Sequence, residues 1–227
     1  MTIKAVFLDF YGTLVHEDDD IIPLICEEVR INAAVECSIE EVGRFWWKTF
    51  SKMFQDSNGQ TFQTQRELGV KSLVETIRTF QSECDASKII QKQFDHWRKP
   101  NIFADTHAFL ELIRQEKPVY ILSNIDSDDI RAAMEHLDIW ADGVISSEDV
   151  RSYKPRPELF QEALRRYNLQ PGEVIHIGDS IVSDVYGAQE AGIDAVWLNR
   201  KGKTKPVDIE PKYICKNLEE VEVILKQ

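Results

Sequence analysis

The feature that most constrains this chain is Ile3-Lys4-Ala5-Val6-Phe7-Leu8, an almost unbroken apolar run that ends in Asp9. A short run of this kind reads as a strand covered on both faces, as in a parallel sheet. Such a strand delivers its carboxylate at the C-terminal end, where open α/β sheets bind ligands. Gly12 then permits a tight turn with positive φ, and Thr13 sets a hydroxyl beside the carboxylate. Alone, the stretch fits equally well an Asp that merely caps a turn.

The rest of the chain narrows the choice. His16-Glu17-Asp18-Asp19-Asp20 is an acidic break, and from Ile21 to about Trp97 the apolar residues recur at three- and four-residue steps. Ser38 followed by Glu41 has the form of a capping box opening a helix. Asp56-Ser57-Asn58-Gly59 reads as a loop. After Pro100 helices and strands alternate. Helices are expected at 105–115, 128–137, 156–167, 182–191 and 218–225, with Gly192 ending the fourth of these. Strands are expected at 118–122, 143–145, 174–177, 195–198 and 213–215. The alternation predicts an α/β fold with a doubly wound, mostly parallel sheet. Residues 1–15 and 100–227 would form its Rossmann-like core, with an all-helical block at 16–99 inserted as a cap.

Three expected strand ends present polar groups to one rim: Asp9, Ser123-Asn124, and Asp179 with Asp184 just beyond it. Lys154, in Tyr153-Lys154-Pro155, precedes a helix on the same side. Each segment alone has an ordinary explanation as a turn, a helix cap or a surface residue. Their joint occurrence, each beside an α/β strand, is poorly explained by chance.

With Asp9-Phe10-Tyr11-Gly12-Thr13-Leu14, Ser123-Asn124, Tyr153-Lys154-Pro155 and Gly178-Asp179-Ser180-Ile181-Val182-Ser183-Asp184, the chain resembles the haloacid dehalogenase superfamily of hydrolases. The helical block falls where that family's subclass with a helical cap carries its insertion. The resemblance implies that Asp9 is the nucleophile. Lys154 would supply positive charge, Thr13 and Ser123 would donate to phosphoryl oxygens, and Asn124 would help to position the site. It also implies a magnesium ion held by Asp9, Asp179 and the backbone carbonyl of Tyr11, with Asp184 acting behind them or through water. Oxygen-only ligation suits that cation. Converging carboxylates also repel one another without it.

One position departs from the family's phosphatases. Two residues after the nucleophile they carry a second Asp as general acid, and here the residue is Tyr11. Loss of a positioned acid typically costs about 10²–10⁴-fold in rate. Tyrosine there resembles the 2-haloacid dehalogenase branch, in which halide leaves without a proton. That branch, however, lacks the Gly-Asp pair present here as Gly178-Asp179, and has Tyr where this chain has Phe160. The expected activity is therefore a magnesium-dependent phosphatase acting on a small phosphorylated molecule. Metal-independent dehalogenation is the alternative, and a catalytically weak phospho-ligand binder comes third. His16, His96 and Lys48 are candidates for a replacement acid. Tyr11, Lys48, Trp46 and Trp47 are candidate substrate contacts, since three adjacent aromatics at Phe45-Trp46-Trp47 cannot all face the cap interior. Trp140 and Trp197 are expected in the core, and Lys201 to Pro206 as a solvated basic loop.

A net charge of −12 with no basic stripe argues against nucleic-acid or anionic-membrane partners. No apolar stretch approaches membrane-spanning length. Cys26, Cys37, Cys84 and Cys215 show neither metal-ligand nor disulfide-framework spacing, so a reducing cytoplasm is the expected compartment. The expected assembly is a monomer or homodimer.

Overall fold

The computed structural model describes residues 2–226. Six parallel strands form one sheet in the order β3-β2-β1-β4-β5-β6: β1 Ala5–Leu8, β2 Val119–Ser123, β3 Gly143–Ser146, β4 Val174–Gly178, β5 Asp194–Leu198 and β6 Tyr213–Cys215. β1 lies centrally, with Val6 beside Val119 on one edge and Ile175 on the other. The chain builds outward from β1 to β3, then returns to start β4 on β1's opposite edge. The C-terminal ends of β1 and β4 therefore flank the point where the winding reverses, the usual ligand crevice of such sheets.

Successive residues of β1 face opposite layers. Val6 and Leu8 join the core shared with the helices that follow β1, whereas Ala5 and Phe7 pack with Phe160, Val185 and Trp197. Both faces are covered, which accounts for the near-continuous apolar run.

The block inserted after β1 is helical: α1 Ile22–Ile31, α2 Ile39–Asp56, α3 Gln65–Thr79, α4 Ala86–Ile89 and α5 Gln91–Arg98, with a short tight turn at Gly59–Thr61. Ser38 and Glu41 form the expected capping box, and Thr64 with Glu67 forms a second one opening α3. Beyond them follow α6 Thr106–Ile113, α7 Ser127–His136, α8 Ser147–Val150, α9 Glu158–Arg166, α10 Gly187–Glu190 and α11 Leu218–Leu225. The helix expected over 182–191 is instead a wide π-helical turn, Ile181–Tyr186, running into the short α10. A π-type turn of this kind is frequent at functional sites. Gly192 ends that segment at φ +76°.

Trp197 is in the core as expected, but Trp140 is 57% exposed. Ile139 fills the buried position after α7, at 6% exposure, and its neighbour is turned outward. Among the described residues no helix is long and apolar enough to cross a membrane.

Candidate active site

Asp9 leaves β1 with its amide still bonded to the Ile177 carbonyl of β4 at 2.9 Å, so the carboxylate starts from a fixed point. The loop beyond it closes tightly, with the amides of Thr13, Leu14 and Val15 all donating to the Phe10 carbonyl. Gly12 has φ +86°, and a Cβ there would stand 2.6 Å from Cγ of Asp179. Glycine is thus required twice over, for backbone conformation and for room. Arg200, from the loop after β5, forks onto Asp105 at 2.9 and 3.0 Å and donates to the Thr13 carbonyl at 3.0 Å, which pins the loop from behind.

Lys154 is 1% exposed and is the hub of the site. Its ammonium donates to Asp9 Oδ1 at 2.8 Å, to Asp184 Oδ1 at 2.6 Å and to the Leu122 carbonyl at 2.8 Å, which uses all three of its protons. Asn124 fixes the backbone of the same lysine, donating to its carbonyl at 2.9 Å and accepting from its amide at 2.7 Å. Asp184 is held from three sides: Lys154 and His176 Nε2 (3.0 Å) share Oδ1, and the Ser180 amide donates to Oδ2 at 2.9 Å. Trp197 of β5 donates to the Asp179 carbonyl at 2.8 Å.

One carboxylate oxygen from each of Asp9, Asp179 and Asp184 lies within 4.8 Å of the others. Against these three acids stands one buried ammonium. Lys203, half exposed, approaches Asp179 Oδ2 at 3.5 Å. Burial raises Asp9 to about 7, with Lys154 opposing and Asp184 adding to the rise. Burial likewise pushes Asp179 well above the ordinary carboxylate range, helped by Asp184, Glu17 and Asp9. Asp184 moves the other way, because Lys154 and His176 together outweigh its burial. Burial works against the charge on Lys154, but Asp184 and Asp9 hold its pKa above normal.

The donor set fits a hard divalent cation. The ligands are oxygens, Asp9 and Asp179 have capacity left after their protein contacts, and the cluster is short of positive charge. The buried Thr13 hydroxyl makes no hydrogen bond within the chain, so it too is free to meet a ligand.

The four segments expected to converge do so. The peripheral candidates separate. The Tyr11 hydroxyl donates to the backbone carbonyl of Trp97 at 2.5 Å, so it ties the β1 loop to the end of α5. Burial, then Asp129 and Asp18, keep that phenol well above its ordinary pKa. Trp46 is buried among the helices and donates to Ser72 at 2.9 Å. Trp47 is 69% exposed and stacks on Phe50, and Lys48 is exposed. None of these three borders the cavity of about 240 Å³ that opens beside Gly12 and Asp179. His16 does border it, its ring tilted 33° against Phe103 with centroids 3.9 Å apart, while His96 is bonded to the Glu17 carbonyl. Lys201 and Lys203 border it as well, so the basic loop reaches the site instead of lying free in solvent.

Two features have no counterpart in the sequence reading. One is His176, whose contact with Asp184 depends on strand register. The other is a polar seam between the helical insertion and α7. There Asp126 accepts from the amides of Gln65 (2.7 Å) and Arg66 (3.0 Å), and Arg66 forks onto the buried Asp129 at 2.5 and 2.6 Å. A capping-box spacing at Thr64 and Glu67 is the signal in the sequence that could have marked an α3 N-terminus there.

A family model for haloacid dehalogenase-like hydrolases matches residues 3–192. The chain belongs to that family. Within it, similarity runs to two chemistries. The chain is 38% identical over 76 residues to a glyceraldehyde 3-phosphate phosphatase of Pyrococcus furiosus, covering 34% of this chain and 31% of that protein. It is 25% identical over 218 residues to (S)-2-haloacid dehalogenase 4A of Burkholderia cepacia, covering 92% and 89%. The first match thus spans about a third of the phosphatase's length. Among solved structures, an L-2-haloacid dehalogenase superposes with a TM-score of 0.83 over 100% of both chains at 18% identity, which speaks for the fold.

Proposed function

We propose that this hydrolase is a magnesium-dependent phosphatase of small phosphorylated molecules that works through a phospho-aspartate on Asp9. The observation that carries the reading is Asp179, whose carboxylate joins those of Asp9 and Asp184 within 4.8 Å. A bound magnesium ion would be held by Asp9 and Asp179, and by the Tyr11 backbone carbonyl as the family resemblance implies. It would offset the negative charge of both nucleophile and phosphoryl group.

The chain's own groups account for the remaining steps. Lys154 occupies Oδ1 of Asp9, which leaves Oδ2 to attack phosphorus. An Asp is a competent nucleophile once ionised, and added positive charge lowers the pKa of about 7 that burial imposes. Thr13 and Ser123 would donate to the phosphoryl oxygens, with the pentavalent transition state as their target. The P–O bond to the leaving group breaks as the Asp9 Oδ2–P bond forms. Water then attacks phosphorus, returns Asp9 and releases phosphate. The helical insertion would act as the cap that selects the substrate.

Tyr11 supports a limit on that substrate. Its hydroxyl is committed to Trp97, so it does not protonate a departing alkoxide. Acyl and aryl phosphates, whose leaving groups need no proton, are the class that suits this site. The same observation favours the second reading, metal-independent removal of halide from a 2-haloacid. The discriminating assay is hydrolysis of p-nitrophenyl phosphate and acetyl phosphate with and without magnesium, beside halide release from 2-chloropropionate. A phosphatase loses turnover both on chelation and in Asp9→Asn. Halide release that is indifferent to chelator would instead establish the dehalogenase.

A further inference from the structure

His176 lies in β4, in register with Phe7 of β1, and has no exposed surface. Its ring stands edge-on to Phe160 with centroids 5.0 Å apart. Nε2 is 3.0 Å from Asp184 Oδ1, and since both oxygens of that carboxylate already accept, from the Lys154 ammonium and the Ser180 amide, Nε2 carries the proton and donates it. Nδ1 is then a buried acceptor without any hydrogen bond. The bond to Asp184 is thus the polar contact that the imidazole makes within the chain.

We infer that His176 is a positioning residue for the reaction at Asp9: its Nε2–H fixes the Asp184 carboxylate and, through it, the Lys154 ammonium against the nucleophile. Asp184 rides on the π-helical turn Ile181–Tyr186, not on a strand. Of its three hydrogen bonds, one comes from the Ser180 amide at the start of that turn and one from the lysine it has to aim. The bond from His176 is the one that ties it to the sheet. Gly178 completes the seat, since a Cβ there would stand 2.2 Å from Asp184 Cγ. A neutral donor suits the task. It orients Oδ1 without adding charge, whereas a second cation on that oxygen would repel Lys154 and weaken its hold on Asp9.

The inference rests on the phosphatase reading only for its turnover arm. In the metal-free full-length protein labelled with ¹⁵N-histidine, NMR between pH 6 and 8 should find His176 as a neutral Nε2–H tautomer with a slowly exchanging ring proton. A neutral Nδ1–H tautomer or an imidazolium would overturn the proposal. For turnover of p-nitrophenyl phosphate with magnesium, His176→Leu should lower kcat by about 10–100-fold, the usual cost of losing an orienting partner. KM should change little. His176→Gln, whose amide nitrogen reaches where Nε2 stood, should recover most of kcat. An unchanged kcat in the leucine variant, or equal losses in both, would refute the positioning role. A wild type that hydrolyses neither aryl nor acyl phosphate would sink the phosphatase reading, and the tautomer would then decide His176's part alone.

Discussion

The molecule buries two clusters of charge, and they are balanced in opposite ways. Where the helical insertion meets α7, Asp126 and Asp129 each have their own donors. Two amides at the start of α3 donate to the first, while the Arg66 fork grips the second and Arg98 stands 3.7 Å away. At the ends of β1 and β4, three carboxylates face one buried lysine, with Lys203 approaching from the rim. At the seam two part-exposed arginines answer two acids, whereas here three acids have Lys154 and, at the rim, Lys203. Leaving the cluster short of positive charge suits it to the proposed cation, while the other cluster serves to join two parts of the chain. The difference lies in charge accounting, since both regions are buried and hydrogen-bonded.

The sharpest way to break this comparison is to remove the only buried cation of the β1/β4 cluster. Lys154→Met leaves Asp9 and Asp184 facing each other without compensation, a change that typically costs about 3–5 kcal/mol when a buried pair loses one partner. Urea unfolding of the metal-free variant should register that loss, and added magnesium should restore part of it. A loss below about 1 kcal/mol would mean that the carboxylates share a proton and are not in deficit.

Tyr11 lies between the two clusters, within the influence of Asp129 on one side and Asp9 on the other. Tyr11→Asp supplies the acid that the family's phosphatases carry. If the native enzyme is slow on alkyl phosphates for want of a proton donor, the variant should gain about 10²-fold or more on them, within the range of general-acid catalysis. Aryl phosphates should gain far less. Equal rates on both would show that protonation never limited the reaction. The variant also loses the bond to Trp97, so its melting temperature should fall modestly.

How much of this could be read beforehand follows from what each feature depends on. Asp9, Ser123 and Asp179 were legible because each ends or follows a strand whose apolar run marks its end, and parallel topology brings those ends together; Lys154 was legible from its place before a helix on the same side. The insertion was legible from the 3.6-residue period. His176 was not, because inside a buried strand its neighbour across the sheet depends on register and its contact on a turn that departs from a regular helix. Trp140 was misplaced because composition does not say which of two adjacent apolar residues fills a slot, and Ile139 took it. The seam was invisible for a related reason: Arg66 and Asp129 are 63 residues apart, and only the docking of the insertion makes them partners.

That seam gives the next prediction. Arg66→Ala leaves Asp129, which has no exposed surface, with Arg98 alone at 3.7 Å. Because Arg66 keeps a third of its side chain in solvent, the loss should be about 1–3 kcal/mol, below the full cost of breaking a buried pair. The β1/β4 cluster should be untouched, so the variant's affinity for magnesium by calorimetry should equal that of the wild type. A change in metal affinity would show that the two clusters are coupled and that the comparison is too simple.

The smallest effect is a matter of pH and tests whether the joint is as well balanced as its geometry suggests. Burial raises Asp126 from 3.8 to about 6, against the two amides that favour its charge and with Asp129 and Glu148 adding to the rise. An acid whose pKa is higher folded than unfolded keeps its proton in the native state while the unfolded chain gives it up. Stability therefore falls as pH climbs from about 4 to about 6, and the full penalty applies above that window. At about 1.4 kcal/mol per pH unit the displacement sets an upper bound near 3 kcal/mol. Partial solvent access brings the expectation to about 1–2 kcal/mol. Asp126→Asn cannot titrate, so its stability relative to wild type should rise across this window in urea melts. A flat difference would mean that the α3 amides cancel the burial completely and that the joint has no charge to spare in either direction.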